Sequence, residues 1–206
     1  RQSILQMTRA PGLDLEQLSH KVGPLPPEMI MNIAIQLAEI LKLMRSGEIS
    51  ASRKILVHGD IKPSNLVYDE ENNQVQLIDW GSSVWAQLDV HSQPTANNVL
   101  DLMSGDLQHT NARMGDVYFI GPDQISGQMS SPRFDEQGMA ATLYALASGQ
   151  SCRYGNKVIT ASSLGLPKVL AKILDGMLSA DKKTREQAGD YFFNNIHLLK
   201  NIVLGS

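Results

Sequence analysis

The most informative segment of this 206-residue sequence is His58-Gly59-Asp60-Ile61-Lys62-Pro63-Ser64-Asn65, and Asp79-Trp80-Gly81 begins fourteen residues after Asn65. Between the two motifs, apolar runs at residues 66–68 and 75–78 are separated by a short polar stretch. This pattern predicts a small β-hairpin. The hairpin would bring Asn65 and Asp79 to neighbouring strand ends, where both side-chain oxygens can face one cation.

The residue types in these two motifs suit phosphoryl transfer, which requires positioning and charge stabilisation more than covalent chemistry. Asp60 can orient an attacking hydroxyl or accept its proton. Lys62 offers a compact positive charge for a γ-phosphate. Asn65 and Asp79 offer a neutral and a charged oxygen ligand for Mg²⁺.

The sequence around these motifs predicts mostly helix. Apolar residues recur at helical spacing from Glu28 to Met44, which predicts the clearest helix of the chain. A shorter helix is expected from Leu13 to Lys21, after a short strand at residues 4–7. Beyond Asp135, residues 139–147 are apolar on nearly every side, which predicts a buried helix that ends near Gly149.

Two further amphipathic stretches cover residues 166–178 and 184–199, whereas residues 82–114 show no sustained period. The predicted fold class is therefore mainly α with a small β-hairpin.

Composition narrows the function classes. Apolar residues make up 42% of the chain and charged residues 19%, which allows a sizeable core. The 18 Lys and Arg against 21 Asp and Glu give a net charge of −3, so bulk charge does not support binding to nucleic acid or anionic membranes. The single cysteine, Cys152, cannot form an intrachain disulfide, which suits a reducing, cytoplasmic location. We expect no nucleic-acid or membrane partner.

With these two motifs, the sequence resembles the protein kinase superfamily, specifically its serine/threonine kinase-like members. Residues 58–65 match the catalytic-loop pattern His-Arg-Asp-x-x-x-x-Asn, and residues 79–81 match the Asp-Phe-Gly magnesium motif. The resemblance implies that Asp60 and Lys62 are catalytic. It also implies that Lys62, Asn65 and Asp79 bind the cofactor, ATP with Mg²⁺, and that Asn65 and Asp79 are the metal ligands.

The resemblance extends along the chain to residues with structural roles. Gly121-Pro122-Asp123 takes the place of the family's Ala-Pro-Glu, and Arg185 matches the late arginine that pairs with its acid. Asp135 matches the aspartate that anchors the catalytic-loop backbone. His58 is expected to pack beneath the loop and bind backbone, so it is a supporting residue rather than a base.

The resemblance implies a single kinase-like C-terminal lobe over residues 1–206, with the N-terminal lobe absent from this chain. The expected segments are a hinge strand and short helix (1–25), a long helix and connector (26–57), the catalytic loop and metal-binding hairpin (58–81), an activation segment (82–124) and a helical subdomain (125–206). The glycine-rich loop and strand lysine would belong to the missing lobe, which is therefore an expected partner in the intact protein.

Two departures from the family pattern affect the interpretation. Gly59 replaces the arginine that usually couples the catalytic loop to an activation-loop phosphate, so such a phosphate is not expected to be needed. Asp116 stands where serine/threonine kinases usually have a threonine that contacts the catalytic aspartate and lysine.

The function that the resemblance implies is ATP-dependent transfer of a γ-phosphate to a serine or threonine hydroxyl of a protein substrate, with weak or no turnover by the isolated chain. One alternative is a small-molecule kinase of the aminoglycoside or choline kinase type, because such enzymes carry His-Gly-Asp and often Ile-Asp-Trp. Lys62, Gly81 and the activation-segment ending argue against it. A further alternative is a pseudokinase or binding module, although Asp60 and Asp79 are both present.

Overall fold

The computed structural model of the chain describes residues 8–95, 116–150, 154 and 159–204. The first elements are strand β1 (Leu13–Asp14), helix α1 (Leu15–Val22) and helix α2 (Pro27–Ser46). Asp14 caps α1 by accepting a hydrogen bond from the Gln17 amide at 2.8 Å. Pro27 opens α2 at its first position, where a missing N–H costs nothing. The predicted helix over residues 28–44 is confirmed, whereas the predicted strand at 4–7 lies outside the described residues.

In the described residues, five short strands form two antiparallel sheets. Strand β3 (Leu66–Asp69) pairs with β4 (Gln74–Leu77) and, on its other side, with β1, which confirms the predicted hairpin. Strand β2 (Leu56–Val57) pairs with β5 (Val84–Trp85). This second pairing has no clear sequence signal, because two-residue strands are too short to show alternation.

The second half of the described chain is helical: α3 (Pro122–Ile125), α4 (Pro132–Ser148), α5 (Lys168–Met177), α6 (Lys182–Asn194) and α7 (Ile196–Leu204). Short 3₁₀ turns cover Pro63–Asn65, Trp80–Ser82 and Ala161–Ser163. The stretch expected as one amphipathic segment over 184–199 is divided at Asn195. Its φ is −119° and its amide donates to the carbonyls of Tyr191 and Phe192, so the helical dihedrals end there.

The core lies around α2 and α4, which pack against each other. In α4, 15 of 17 residues are buried, and α2 contributes nine buried residues, among them Leu37 and Leu41. Each such leucine stabilises the fold by roughly 1.5–3 kcal/mol through removal of apolar surface from water. The prediction of a buried helix that stops at Gly149 is confirmed, since Gly149 takes the left-handed conformation at the end of α4. None of the helices in the described ranges has the length and hydropathy needed to span a bilayer.

Candidate active site

The first turn of α4 fixes the backbone of the loop that carries Asp60. Ser131 caps the helix and Pro132 occupies its first position, which places Asp135 in the first turn. The Asp135 carboxylate accepts hydrogen bonds from the amides of His58 and Gly59, both at 2.8 Å, and is only 3% exposed. Burial raises the pKa of Asp135, whereas the hydrogen bonds from the two amides act in the opposite direction.

The same face of α4 supports the next residues of the loop. The Thr142 hydroxyl donates to the Ile61 carbonyl at 3.3 Å. Gly138 lies against Ile61 so closely that an added Cβ would stand 3.0 Å from the Ile61 Cβ. Asp135, Gly138 and Thr142 are three and four residues apart, so they share one helix face.

His58 is fully buried and both ring nitrogens are occupied. Nδ1 faces the Asp60 amide, a donor, at 3.3 Å, and Nε2 faces the Ile78 carbonyl, an acceptor, at 3.0 Å. These two partners assign the ring to the Nε2–H tautomer. The Trp80 ring packs edge-on against the imidazole, with 4.9 Å between the two ring centroids. With both nitrogens engaged inside the protein, His58 acts as a link between the loop and the hairpin and has no nitrogen left to serve as a base.

Gly59 takes a φ of +80°, which a residue with a side chain adopts only with strain. Its carbonyl accepts a hydrogen bond from the buried Gln124 side chain at 2.8 Å. Gln124 was not identified from the sequence, because a glutamine in a four-residue helix carries no signal of its own. The contact ties the loop to the segment around α3.

The Asp60 carboxylate is 7% exposed and accepts three hydrogen bonds. Lys62 Nζ and Asn65 Nδ2 each lie 3.0 Å from its Oδ2, and the Asp116 amide donates to Oδ1 at 3.1 Å. Asn65 Nδ2 also donates to the Asp60 carbonyl at 2.8 Å. The structure therefore brings Asp60, Lys62 and Asn65 into one cluster, with the carboxylate held in a single orientation.

Asp116 reaches Asp60 through its backbone rather than through its side chain. The Asp116 carboxylate instead accepts a hydrogen bond from the Tyr118 amide at 3.0 Å.

Asp79 lies at the same end of the hairpin as Asn65 but makes fewer contacts than Asp60. The Ile78 amide donates to the Asn65 carbonyl at 3.0 Å, so residues 65 and 78 are neighbours. Asp79 itself is exposed, has a φ of +61° and accepts one hydrogen bond, from the Gly81 amide at 3.3 Å. In the described part of the chain, no three His, Cys, Asp or Glu side chains are placed to bind a metal ion together.

Asp123 and Arg185 form a buried ion pair at 3.3 Å, and their side chains are 6% and 5% exposed. Arg185 also donates to the carbonyls of Ser179 and Ala180, at 3.0 and 2.8 Å. The Asp123 amide donates to Gln137 Oε1 on α4 at 3.3 Å. This pair joins α3 to the start of α6.

Residues 1–192 match the family profile described as "Protein kinase domain". The chain belongs to the protein kinase family. The loop at residues 58–65 and Asp135, which binds its backbone, both lie within the matched residues.

The curated relatives of this family member include bacterial serine/threonine-protein kinases. It is 27% identical over 139 residues to PrkC of Bacillus subtilis, which covers 68% of this chain and 18% of that protein. It is 23% identical over 181 residues to PknL of Mycobacterium tuberculosis, covering 86% of this chain and 39% of that protein. The chain therefore spans well under half the length of these relatives.

Among solved structures, the kinase PK-1 of the Cydia pomonella granulovirus is similar in fold. The TM-score is 0.58 with 15% sequence identity, and the match covers 88% of this chain and 65% of that one. At this identity the likeness concerns the fold alone.

Proposed function

We propose that this chain forms the catalytic-loop-bearing C-terminal lobe of an ATP- and Mg²⁺-dependent kinase that phosphorylates serine or threonine hydroxyls of proteins. The observation that carries the proposal is the Asp60–Lys62–Asn65 cluster on a loop whose backbone is fixed by Asp135, in a chain of the protein kinase family. The bacterial serine/threonine kinase relatives support a protein acceptor.

In this proposal Asp60 orients the acceptor hydroxyl and accepts its proton. Lys62, Asn65 and the Asp116 amide act as donors to its two oxygens, so the carboxylate is presented in a fixed orientation before the acceptor arrives. Lys62 has one oxygen partner in Asp60 and is 22% exposed in its side chain, so its remaining donors can meet a transferring phosphoryl group.

The donor set fits a magnesium ion. Because Asn65 turns its Nδ2 towards Asp60, its Oδ1 points elsewhere and can serve as a ligand. The Asp79 carboxylate is exposed at the same hairpin end. One carboxylate and one amide oxygen match the small share of protein ligands that Mg²⁺ uses beside phosphate. Bound with ATP, the ion would neutralise the charge that develops on the phosphate oxygens.

We further propose that the remaining nucleotide contacts come from an N-terminal lobe outside these 206 residues. The sequence of these 206 residues contains no glycine-rich loop or strand lysine ahead of helix α2. We place the intact protein in the cytoplasm.

The test uses the complete protein, ATP–Mg²⁺ and generic protein substrates, with phosphoserine and phosphothreonine as products. Asp60→Asn should lower the transfer rate by at least about a thousandfold while the variant remains folded, as checked by circular dichroism. Asp181→Asn, a change of the same kind at the N-cap of α6, whose carboxylate binds Thr184 and not the cluster, serves as the matched control and should keep the rate.

Two outcomes would contradict the proposal. If aminoglycosides or amino alcohols stimulate ATP turnover and proteins do not, the acceptor is a small molecule. If Asp60→Asn keeps the biological effect of the complete protein, the chain is a binding module.

A further inference from the structure

Residues 84–95 form a compact hairpin-like segment that is fastened at both ends. At its start, β5 pairs with β2, the strand that directly precedes His58. Further on, the amides of Gln87 and Leu88 donate to the Ser130 carbonyl at 2.8 and 3.0 Å, and the Ser130 amide donates back to Gln87 Oε1. Thr95 returns to the start of the segment, with its hydroxyl 2.8 Å from the Ala86 carbonyl.

The tip of the segment is held by Arg133, in the first turn of α4. Arg133 Nε and Nη2 donate to the Val90 carbonyl at 3.2 and 3.0 Å. Its Nη1 binds both oxygens of Glu136 at 2.9 and 3.0 Å, and its Nη2 also binds Asp190 on α6 at 2.8 Å. One guanidinium thus joins the segment, α4 and α6.

Electrostatics favour a permanently charged Arg133 at this place. Its side chain is 5% exposed, and burial alone would lower its pKa, but the carboxylates of Glu136 and Asp190 more than offset this, so the pKa of Arg133 is raised. Lysine could not replace it, because a single ammonium lacks the planar fork that reaches three partners at once.

Arg133 has a natural counterpart in Arg45. Arg45 Nη2 lies 3.4 Å from Glu136 Oε2, and its guanidinium stacks on the Phe193 ring, 3.6 Å from the ring centroid. Arg45 has no contact with residues 84–95 among the described interactions. The two arginines share one carboxylate, and only Arg133 reaches the segment.

We propose that Arg133 is a positioning residue that fastens residues 84–95 to the helical core through unmodified protein groups, so that the segment keeps its place without a phosphate. This rests on the proposed kinase function, because residues 84–95 belong to residues 82–124, which the family resemblance assigns to the activation segment. Gly59 stands where the family pattern has an arginine in the catalytic loop, so that guanidinium is missing. Arg133 supplies a guanidinium from a different element, α4. Its partners are a backbone carbonyl and two carboxylates, all of which are present as soon as the chain folds.

The effect on catalysis follows from the pairing of β5 with β2. Loosening residues 84–95 releases the strand beside the catalytic loop, and a shift of an ångström at Asp60 is enough to slow transfer strongly. The nucleotide-facing residues Asn65 and Asp79 lie on the other hairpin and are not contacted by this segment in the described structure.

The experiment compares Arg133→Met, Arg133→Lys and Arg45→Met in the complete protein by hydrogen exchange. In both Arg133 variants the amides of residues 86–95 should exchange at least about tenfold faster than in Arg45→Met, with α2 protected equally in all three. Asp190→Asn, a milder change at a side chain that is 44% exposed, should give an intermediate increase in the same amides.

Kinetics then separate positioning from general destabilisation. Arg133→Lys should lower kcat/KM for the protein acceptor by about tenfold and leave the Kd for ATP–Mg²⁺ unchanged, whereas Arg45→Met should change neither. Treatment of the wild-type protein with a phosphatase should leave both the exchange of residues 86–95 and the transfer rate unaltered.

Equal exchange of residues 86–95 in the Arg133 and Arg45 variants would overturn the inference, and so would faster exchange after phosphatase treatment. Neither result depends on activity. If the wild-type protein transfers no phosphate while the exchange differences are found, the proposed function fails and the anchoring role of Arg133 stands.

Discussion

In the sequence, Asp60 precedes and Asp79 follows one hairpin, yet the two carboxylates differ in burial and in the number of hydrogen bonds that they accept. Asp60 is buried and accepts three hydrogen bonds, on a loop supported from below by Asp135. Asp79 is exposed and accepts a single hydrogen bond from a residue two positions away. The protein thus arranges the acceptor side of the site in advance, whereas the metal side depends on the ligand to complete it. A substitution that removes support from the Asp60 loop should therefore mainly lower stability, whereas a substitution of Asp79 should mainly weaken ligand binding.

The largest effect on stability is expected from Asp135→Ala, which tests the supported half of the comparison. The change leaves the amides of His58 and Gly59 buried without an acceptor, which should cost about 3 kcal/mol or more of unfolding free energy. Asp135→Asn keeps one oxygen and should lose about half as much. Urea denaturation measures both, and equal stability of the two variants would contradict the assigned contacts.

A smaller loss is expected from Gly59→Ala. Alanine at a φ of +80° should cost about 1 kcal/mol. Gly127→Ala is the matched control, since Gly127 has a φ of +72° and open space around its missing Cβ. Both variants should lose similar stability, but only Gly59→Ala should also lower the phosphoryl-transfer rate. If Gly127→Ala lowers the rate as much, the loop geometry at Gly59 is not what matters.

The weakly held half of the comparison is tested by Asp79→Asn. Because Asp79 is exposed and makes one contact, its loss should change unfolding free energy by less than about 0.5 kcal/mol. Binding of ATP in the presence of Mg²⁺ should nevertheless weaken by at least about tenfold in calorimetric titration, since a charged ligand is lost. Glu70→Gln, an exposed acid on the turn of the same hairpin, should leave binding unchanged.

The smallest effect is expected far from both aspartates, at the cap of α6. The Asp181 carboxylate accepts from the Thr184 amide at 2.8 Å, and its pKa is lowered chiefly by the hydrogen bond from the Thr184 hydroxyl. Its contribution to stability is therefore present above the unfolded pKa of 3.8 and is lost as the pH falls through the lower folded value. Asp181→Asn keeps the cap but does not titrate, so the difference between the two stability–pH curves should be constant above about pH 4 and change only below it. A difference that grows towards neutral pH would contradict this assignment.

The sequence predicted the elements that have strong periodicity and the loop that has a dense motif. Helices α2 and α4 and the β3–β4 hairpin follow from apolar spacing, and the cluster around Asp60 follows from short separations along the chain. Residues that act over long separations and match no family motif were missed. Arg133 has the appearance of an ordinary charge near a helix start, and only the folded chain shows Val90 and Asp190 around it, 43 and 57 residues away.

Similar reasoning explains why Gln124 and Gln137 went unnoticed. Neither belongs to a motif, and each acts by donating to or accepting from backbone of a distant segment. Side chains that bind backbone impose no requirement on the identity of their partner, so no complementary residue marks them in the sequence.

The polar residues inside α4 also restrict how this protein can diverge. Gly189 on α6 lies so close to Glu136 that an added Cβ would stand 1.9 Å from Oε1, and Gly121 stands in the same relation to Gln137. A side chain at either glycine therefore requires the facing residue on α4 to shorten or rotate away. Glu136 cannot do so freely, because it holds two arginines. Descendants of this sequence should accordingly change positions 136 and 189 together, or change neither.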